Sequence, residues 1–317
     1  MRYIVTRLAS SVLLFFAITL FVFVAFFALP KSSNRGRHVP EAYRIHGSVP
    51  SQYAHYVWRL VRYGDLGSSY TSREAVTTQL LRAVPVTLSL IVGGLVVWLL
   101  ISIPLGVLAA MRPRSLLDRA ATMFVLIGVC AHPLWLGLML SFLFGHELHV
   151  VPAVGYCSLS NISTGCEGLW QWAYHLLLPW VTFGFVNAAL FMTMTRALVI
   201  EQMGEEYVRT ALAKGAGSFR VLRAHVLKNV TLPLLTLIAL NAGTALVGVV
   251  FIETAFDLPG LGGVLRRATL QHDLPLTAGS VLFLALAIVL LNLFVDLAYA
   301  ALDPRIRFGR PVVAESG

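Results

Sequence analysis

Residues Glu205–Ile252 read EEYVRTALAKGAGSFRVLRAHVLKNVTLPLLTLIALNAGTALVGVVFI. The string changes character at Val230. Before it the residues are polar and patterned; after it Val230–Ile252 carries no charge and is long enough to cross a bilayer core, which takes roughly 20 residues. In the polar half, Tyr207, Val208, Ala211 and Leu212 recur at helical spacing, with Arg209 and Lys214 on other faces. Gly215 stands where a helix C-terminus favours a residue without Cβ, and Lys214 complements the helix dipole. After a short Gly-rich turn, Ser218 is read as the cap of a second helix, Phe219–Asn229. The pattern is a short helix, a sharp turn, a second helix and then a membrane span. A connection between two membrane helices needs only a few residues, so this one has folded detail suited to docking. From periodicity alone it fits an ordinary basic loop equally well.

Working outward, the rest of the chain repeats the apolar half. Of 317 residues, 57% are hydrophobic and only 12% charged, against about a quarter charged in a soluble domain. Uncharged spans of membrane length are read at Leu8–Leu29, Val84–Met111, Ala120–Gly145, Trp170–Thr195, Val230–Ile252 and Leu276–Val295. Long apolar runs without period-2 alternation select helices over a barrel. The expected fold is therefore an all-α membrane protein with six transmembrane helices. The net charge of +9 sits mostly between spans, which points to a lipid bilayer and away from nucleic acid. Basic residues fill the 112–119 turn, the 205–229 segment and the 305–310 stretch, whereas residues 146–169 hold no Lys or Arg. The positive-inside rule then gives an N-in, C-in topology with the 205–229 segment cytoplasmic.

The organisation expected is an N-terminal anchor helix (1–30), an external loop with amphipathic helices (31–83), a five-helix core (84–310) holding the polar segment 201–229, and a tail (311–317). The first span has Arg2 and Arg7 before it but is too long for a cleaved signal, so it is read as retained. In the external loop, Tyr53, Val57, Leu60, Val61 and Gly64 share one helical face, and Thr71-x-x-Glu74 is a capping box for a helix ending near Arg82. Gly93-Gly94 reads as close helix packing. In the third span, His132 beside Pro133 is read as structural or path-lining, and Cys130 as an inert core residue. Cys157 and Cys166 lie nine apart in the second external loop, where a disulfide would close it. His146 and His149 do not complete a zinc spacing with them. Asn161-Ile162-Ser163 matches a sequon that is common by chance. Asn187 and Asn241 are candidates for lining a substrate path, with helix–helix hydrogen bonding the favoured reading. No phosphate loop, nucleophile elbow or metalloprotease motif is present. No catalytic residue, cofactor site or metal site is therefore expected.

Four stretches, in order, resemble a known family. They are Gly64-Asp-Leu-Gly-Ser-Ser69; Pro85-Val-Thr-Leu88 with Gly106-Val-Leu-Ala-Ala110 and Asp118-Arg119; Tyr207-Val-Arg-Thr-Ala-Leu-Ala-Lys-Gly215 continuing to Leu232-Pro233; and Glu253-x-x-Phe256-x-x-Pro259-Gly-Leu-Gly262 with Asp273-x-Pro275, Asp296, Tyr299 and Asp303-Pro-Arg305. Together they resemble the B-type permeases of dipeptide, oligopeptide and nickel ABC importers, over residues 1 to about 310. The chain departs at Leu29-Pro30-Lys31-Ser32-Ser33, where the family usually has LPGDP, and at Leu212, where an Arg is commoner.

The resemblance implies a type I importer fold in a bacterial or archaeal cell membrane. It implies as partners a second homologous permease subunit, two cytoplasmic ATPase subunits that bind ATP and Mg, and an external substrate-binding protein. Glu206, Tyr207, Arg209, Thr210, Ala211, Leu212, Lys214 and Gly215 would form the segment docking an ATPase, with Tyr207 and Leu212 as apolar anchors and small Ala211 and Ala213 allowing close approach. Glu253, Phe256, Pro259, Gly260 and Gly262 would form an external gate or turn, with Glu253 expected to stabilise the turn. Peptides are the expected substrate, with nickel chelates or oligosaccharides as variants. An ion-gradient transporter is the alternative, but it calls for acidic residues within spans, and none of the six spans holds one. An intramembrane enzyme would need a nucleophile–base or metal set that the sequence lacks.

Overall fold

The structure is a computed structural model that describes residues 2–28, 49–158, 166 and 168–302. Leu29–Ser33, the Asn161 sequon, Asp303-Pro304-Arg305 and the 311–317 tail lie outside the described residues. Among those described, regular structure is helical apart from one isolated bridge between Ser68 and Ala75. Among the described residues, four helices are long and apolar enough to cross a membrane: Thr6–Phe26, Val76–Met111, Leu169–Met203 and Leu274–Val295. A bent pair, Leu116–Cys130 with Pro133–Glu147, makes a fifth if counted as one span, and Gly243–Ala255 is a shorter apolar stretch. The chain divides into two compact units, Met1–Arg82 with Val264–Gly317, and Ala83–Gly263.

In the first unit, α1 (Arg2–Phe23) and α11 (Leu274–Leu302) pack around Val22, Ala278 and Leu282. Against them lies α2 (Val49–Tyr63), amphipathic as its sequence requires. Its inward seam is Tyr53, Tyr56 and Leu60, while Val61 is 66% exposed. Of the expected face, Tyr53 and Leu60 lie inward and Val57 is half-buried, while Val61 turns outward. The cause is polar: the Tyr53 hydroxyl bonds Thr19 Oγ1 at 2.9 Å and donates to the Phe16 carbonyl at 3.1 Å, which fixes the roll of the helix. Nor does the Thr71–Glu74 box open a helix. The helix α3 starts at Val76 and runs unbroken to Met111, so the expected boundary near residue 83 falls inside it.

In the second unit, α3 crosses α6 (Leu169–Met203) through small residues. A Cβ on Gly93 would strike Trp180, one on Gly94 would strike Phe183, and one on Gly184 would strike Val97. Close backbone approach is how membrane helices gain packing energy where lipid is as apolar as leucine. Trp180 Nε1 adds a bond to the Ser89 carbonyl at 3.0 Å. The helices α4 (Leu116–Cys130) and α9 (Leu227–Ala255) also pack on α6, and the short α5 (Pro133–Leu140) lies on both α6 and α9. After α5 the helix widens into a π turn, Ser141–Glu147.

The third expected span is not one straight helix. It breaks at Ala131–His132, and the two halves are bent by 107°. Pro133 lacks the N–H that would continue α4 and instead starts α5 at its first turn. His132 caps α5, its Nδ1 accepting from Leu134 N–H at 3.3 Å. Cys130, read as a core residue, is exposed at the break.

Candidate functional site

The 205–229 segment folds as α7 (Glu206–Ala213), a tight turn, and a helix opening at α8 (Ser218–Val221). From Ser218 the chain passes through a π turn at Leu222–Val226 directly into α9, so there is no separate second helix. Gly217 is its cap and Ser218 its first residue; the cap carries no side-chain bond. Gly215 adopts φ +84°. The Gly215 N–H donates to Leu212 O at 2.9 Å, and Ala216 N–H to Ala211 O at 3.2 Å. Those two bonds are the Schellman ending, which satisfies helix carbonyls and needs a left-handed residue between them.

Val208 is fully buried, in one core with Val221, Leu222 and Val226. Tyr207, Ala211 and Ala216 pack partly buried against it, and the Tyr207 hydroxyl donates to Gln202 Oε1 at 2.9 Å. Tyr207 and Ala211 are therefore half-buried against the chain's own core, with Leu212 the more exposed of the two expected apolar anchors. The exposed set is Glu206, Arg209, Thr210, Leu212, Ala213, Lys214 and Gly215. To these the structure adds Phe219, 68% exposed across the turn from Leu212. A large apolar side chain that neither the helix period nor the core uses was the available signal for Phe219.

Asp118 receives the Arg196 guanidinium through both oxygens, Nε to Oδ1 at 2.8 Å and Nη2 to Oδ2 at 3.1 Å. Arg114 N–H adds a bond at 2.9 Å. Ser115 caps α4 by accepting from Asp118 N–H at 3.3 Å. The Arg114 amide first, and then the Arg196 guanidinium, hold the Asp118 carboxyl below its usual range. A bidentate pair of this kind fixes geometry as well as charge. It ties the turn before α4 to the end of α6 that leads into α7. The sequence marked Asp118 by resemblance but offered no sign of its partner 78 residues away.

At the other end of α9, Glu253 is fully buried. Its carboxyl accepts from Thr87 Oγ1 at 2.6 Å, Gly262 N–H at 2.6 Å and Gly263 N–H at 3.3 Å. Thr87 Oγ1 in turn accepts from Leu261 N–H at 2.9 Å. Glu253 and Thr87 thus supply acceptors for the free amides at the start of α10 (Leu261–Leu270), which no helix can satisfy internally. Gly260 leaves the space the carboxyl occupies: a Cβ there would overlap Glu253 Oε1. At Gly262 a Cβ would lie 2.7 Å from Val250 Cα. Phe256 is 1% exposed, and its carbonyl accepts from Gly155 N–H at 3.1 Å. Pro259 and its neighbours therefore form a turn clasped by Glu253.

Cys157 and Cys166 are paired, with Cα atoms 5.6 Å apart. Asn187 and Asn241 spend their amides on their own helices, donating to Phe183 O and Leu237 O at 2.8 Å each. Among the described residues these bonds run within a helix, where the sequence reading expected bonds between helices. Among the described residues no group of three or more His, Cys, Asp or Glu could hold a metal ion.

In the first unit, Asp273 caps α11, accepting from Leu276 N–H at 3.2 Å, and holds the loop after Gly64 through Ser69 Oγ and Thr71 N–H. Asp65 accepts from Gly67 N–H at 2.8 Å and pairs with Arg59. Burial pushes the Asp65 carboxyl up, but the Gly67 amide and the Arg59 guanidinium outweigh it and leave it lowered. Two of the motif stretches, Gly64–Ser69 and Asp273-x-Pro275, are thus two halves of one hydrogen-bonded junction.

Residues 102–308 match the family model described as binding-protein-dependent transport system inner membrane component. The chain is 34% identical to the dipeptide transport system permease protein DppB of Escherichia coli (strain K12), over 97% of this chain and 99% of that protein. It is 32% identical to the probable peptide ABC transporter permease protein y4tP of Sinorhizobium fredii (strain NBRC 101917 / NGR234), over 96% and 99%. It is 31% identical to the di/tripeptide transport system permease protein DppB of Pseudomonas aeruginosa (strain UCBPP-PA14), over 98% and 100%.

Proposed function

Because this chain belongs to the family of binding-protein-dependent transport system inner membrane components, we propose that it is the permease subunit of an ATP-driven peptide importer. It crosses the cell membrane six times with both termini inside. The 1–30 helix anchors it, residues 31–83 lie outside, and 84–310 form the core. It works beside a second, homologous permease, receives peptide from an external binding protein, and is driven by two cytoplasmic ATPase subunits that carry ATP and Mg. It performs no bond chemistry itself. Peptide is favoured over nickel chelates or oligosaccharides because the relatives it matches along nearly their whole length are named for peptides.

The observation that carries the mechanism is the form of the 206–215 segment. A two-turn helix, stitched to its own core by Val208 and ended by a Schellman turn, offers Leu212, Lys214 and Gly215 to solvent on a rigid base. We read Leu212 and Phe219 as the apolar contacts with an ATPase groove, and Glu206, Arg209 and Lys214 as the rim that sets register. Closure of the ATPase pair would move this base, and with it α6 and α9, as a rigid body. The Glu253 clasp keeps the outer turn in one conformation while the helices move.

A photo-crosslinking residue at Leu212 tests this reading in membranes containing the full complex. It is expected to label an ATPase subunit; a complex that transports peptide with no such product would contradict the docking assignment.

A further inference from the structure

The break in the third span carries an inference beyond this reading, although it rests on the chain being a peptide permease. Ala120–Gly145 is one uncharged run, and the break at Ala131–His132 falls at its middle. The packing gives the same depth. Along α4, Asp118 meets Arg196, Phe124 meets Phe185, and Gly128 meets Ala189 and the Phe185 carbonyl; past the break, Gly137 reaches Thr182. Residues 130–132 therefore lie level with the middle of α6, whose 35 residues span Leu169–Met203.

At that depth the backbone has a problem. Ala131 N–H donates to Ile127 O at 2.9 Å and closes the last regular bond of α4. The next carbonyls, of Gly128, Val129 and Cys130, fall among those a helix end leaves without internal donors. Pro133, which would serve Val129, has no N–H. Gly128 is buried, Val129, Cys130 and His132 are exposed, and Ala131 is half-buried; the His132 ring lies against Phe251. Hydrocarbon satisfies no carbonyl, so irregular backbone at this depth persists only against protein or water.

We propose that the Cys130–His132 break lines the aqueous translocation path and contacts the passing peptide through these carbonyls. The chemistry matches the cargo. A peptide brings backbone N–H donors and a terminal ammonium whatever its side chains, so a row of carbonyl acceptors reads what all peptides share. An acceptor row of this kind passes many sequences with little selectivity among them.

Cys130 is a built-in reporter, because Cys157 and Cys166 are paired. In the reconstituted full complex, a small hydrophilic methanethiosulfonate is expected to modify Cys130, since only a hydrated Cys thiolate attacks the reagent's sulfur, forming a mixed disulfide and releasing methanesulfinate. The rate should exceed that of a Val92→Cys control, at an exposed apolar position midway along α3, in a Cys130→Ser background by roughly tenfold. A transported dipeptide should slow the reaction, and its N-acetylated form should slow it less. Equal, negligible rates at both positions in an actively transporting complex would overturn the proposal and assign the break to lipid or to the second permease. Modification unaffected by dipeptide would overturn the contact with cargo. Loss of transport altogether would instead count against the permease reading, so the two failures are distinguishable.

Discussion

Replacing Glu253 by Ala removes the acceptor of three bonds in a fully buried site. Thr87 keeps its bond from Leu261 N–H, but the Gly262 and Gly263 amides lose their partner. Each stranded buried donor costs about 1–3 kcal/mol, and the longer Gly263 contact should lie at the low end, so the total is about 4 kcal/mol. Gly260→Ala attacks the same site from the other side. Its new methyl overlaps Glu253 Oε1, and the carboxyl must withdraw from the amides, at about 2–3 kcal/mol. Once Glu253 is Ala the overlap is gone. The double variant should therefore cost about the same as Glu253→Ala alone, a coupling of about 2 kcal/mol between neighbours sharing one network. Equilibrium unfolding in mixed micelles, followed by tryptophan fluorescence, measures all three. Strictly additive costs would refute the clasp, because they would mean the carboxyl and Gly260 do not share the space assigned to them.

Gly215→Val should leave insertion intact but place a β-branched residue at φ +84°, at a local cost of about 1–2 kcal/mol with no steric clash to add. It should loosen the turn and separate ATPase activity from uptake, read by assaying both in one preparation. Asp273→Ala should cost about 1 kcal/mol as a lost cap and speed proteolysis of the 64–75 loop, with Asp273→Asn milder in both. The Asp118 carboxyl is depressed by the Arg114 amide and the Arg196 guanidinium. Its stabilising effect should be present throughout the range above ordinary carboxylate values and disappear as the pH falls through its lowered value. Asp118→Asn should flatten that acid-side slope in thermal unfolding.

Much of this was legible in the chain. Apolar runs gave the helical class, and Gly215 announced its own turn because few other residues accept that φ. The motif order carried the family. What was hidden has a common cause: it depends on a partner distant in sequence. Helical spacing put Tyr207 and Leu212 on one list, but only Gln202 and the Val221–Val226 core decide that Tyr207 turns inward. Arg196 identifies itself as the partner of Asp118 only when α4 lies along α6. The roll of α2 was set by one hydroxyl meeting Thr19. At the third span Pro133 suggested a bend, yet composition does not distinguish a kink from a turn of 107°.

The most direct test of the central claim is uptake into proteoliposomes. The chain assembled with its homologous permease, ATPase subunits and binding protein should import labelled dipeptide only with ATP, and the chain alone should import none under any ion gradient. Gradient-driven uptake by the chain alone, without ATP, would contradict the account.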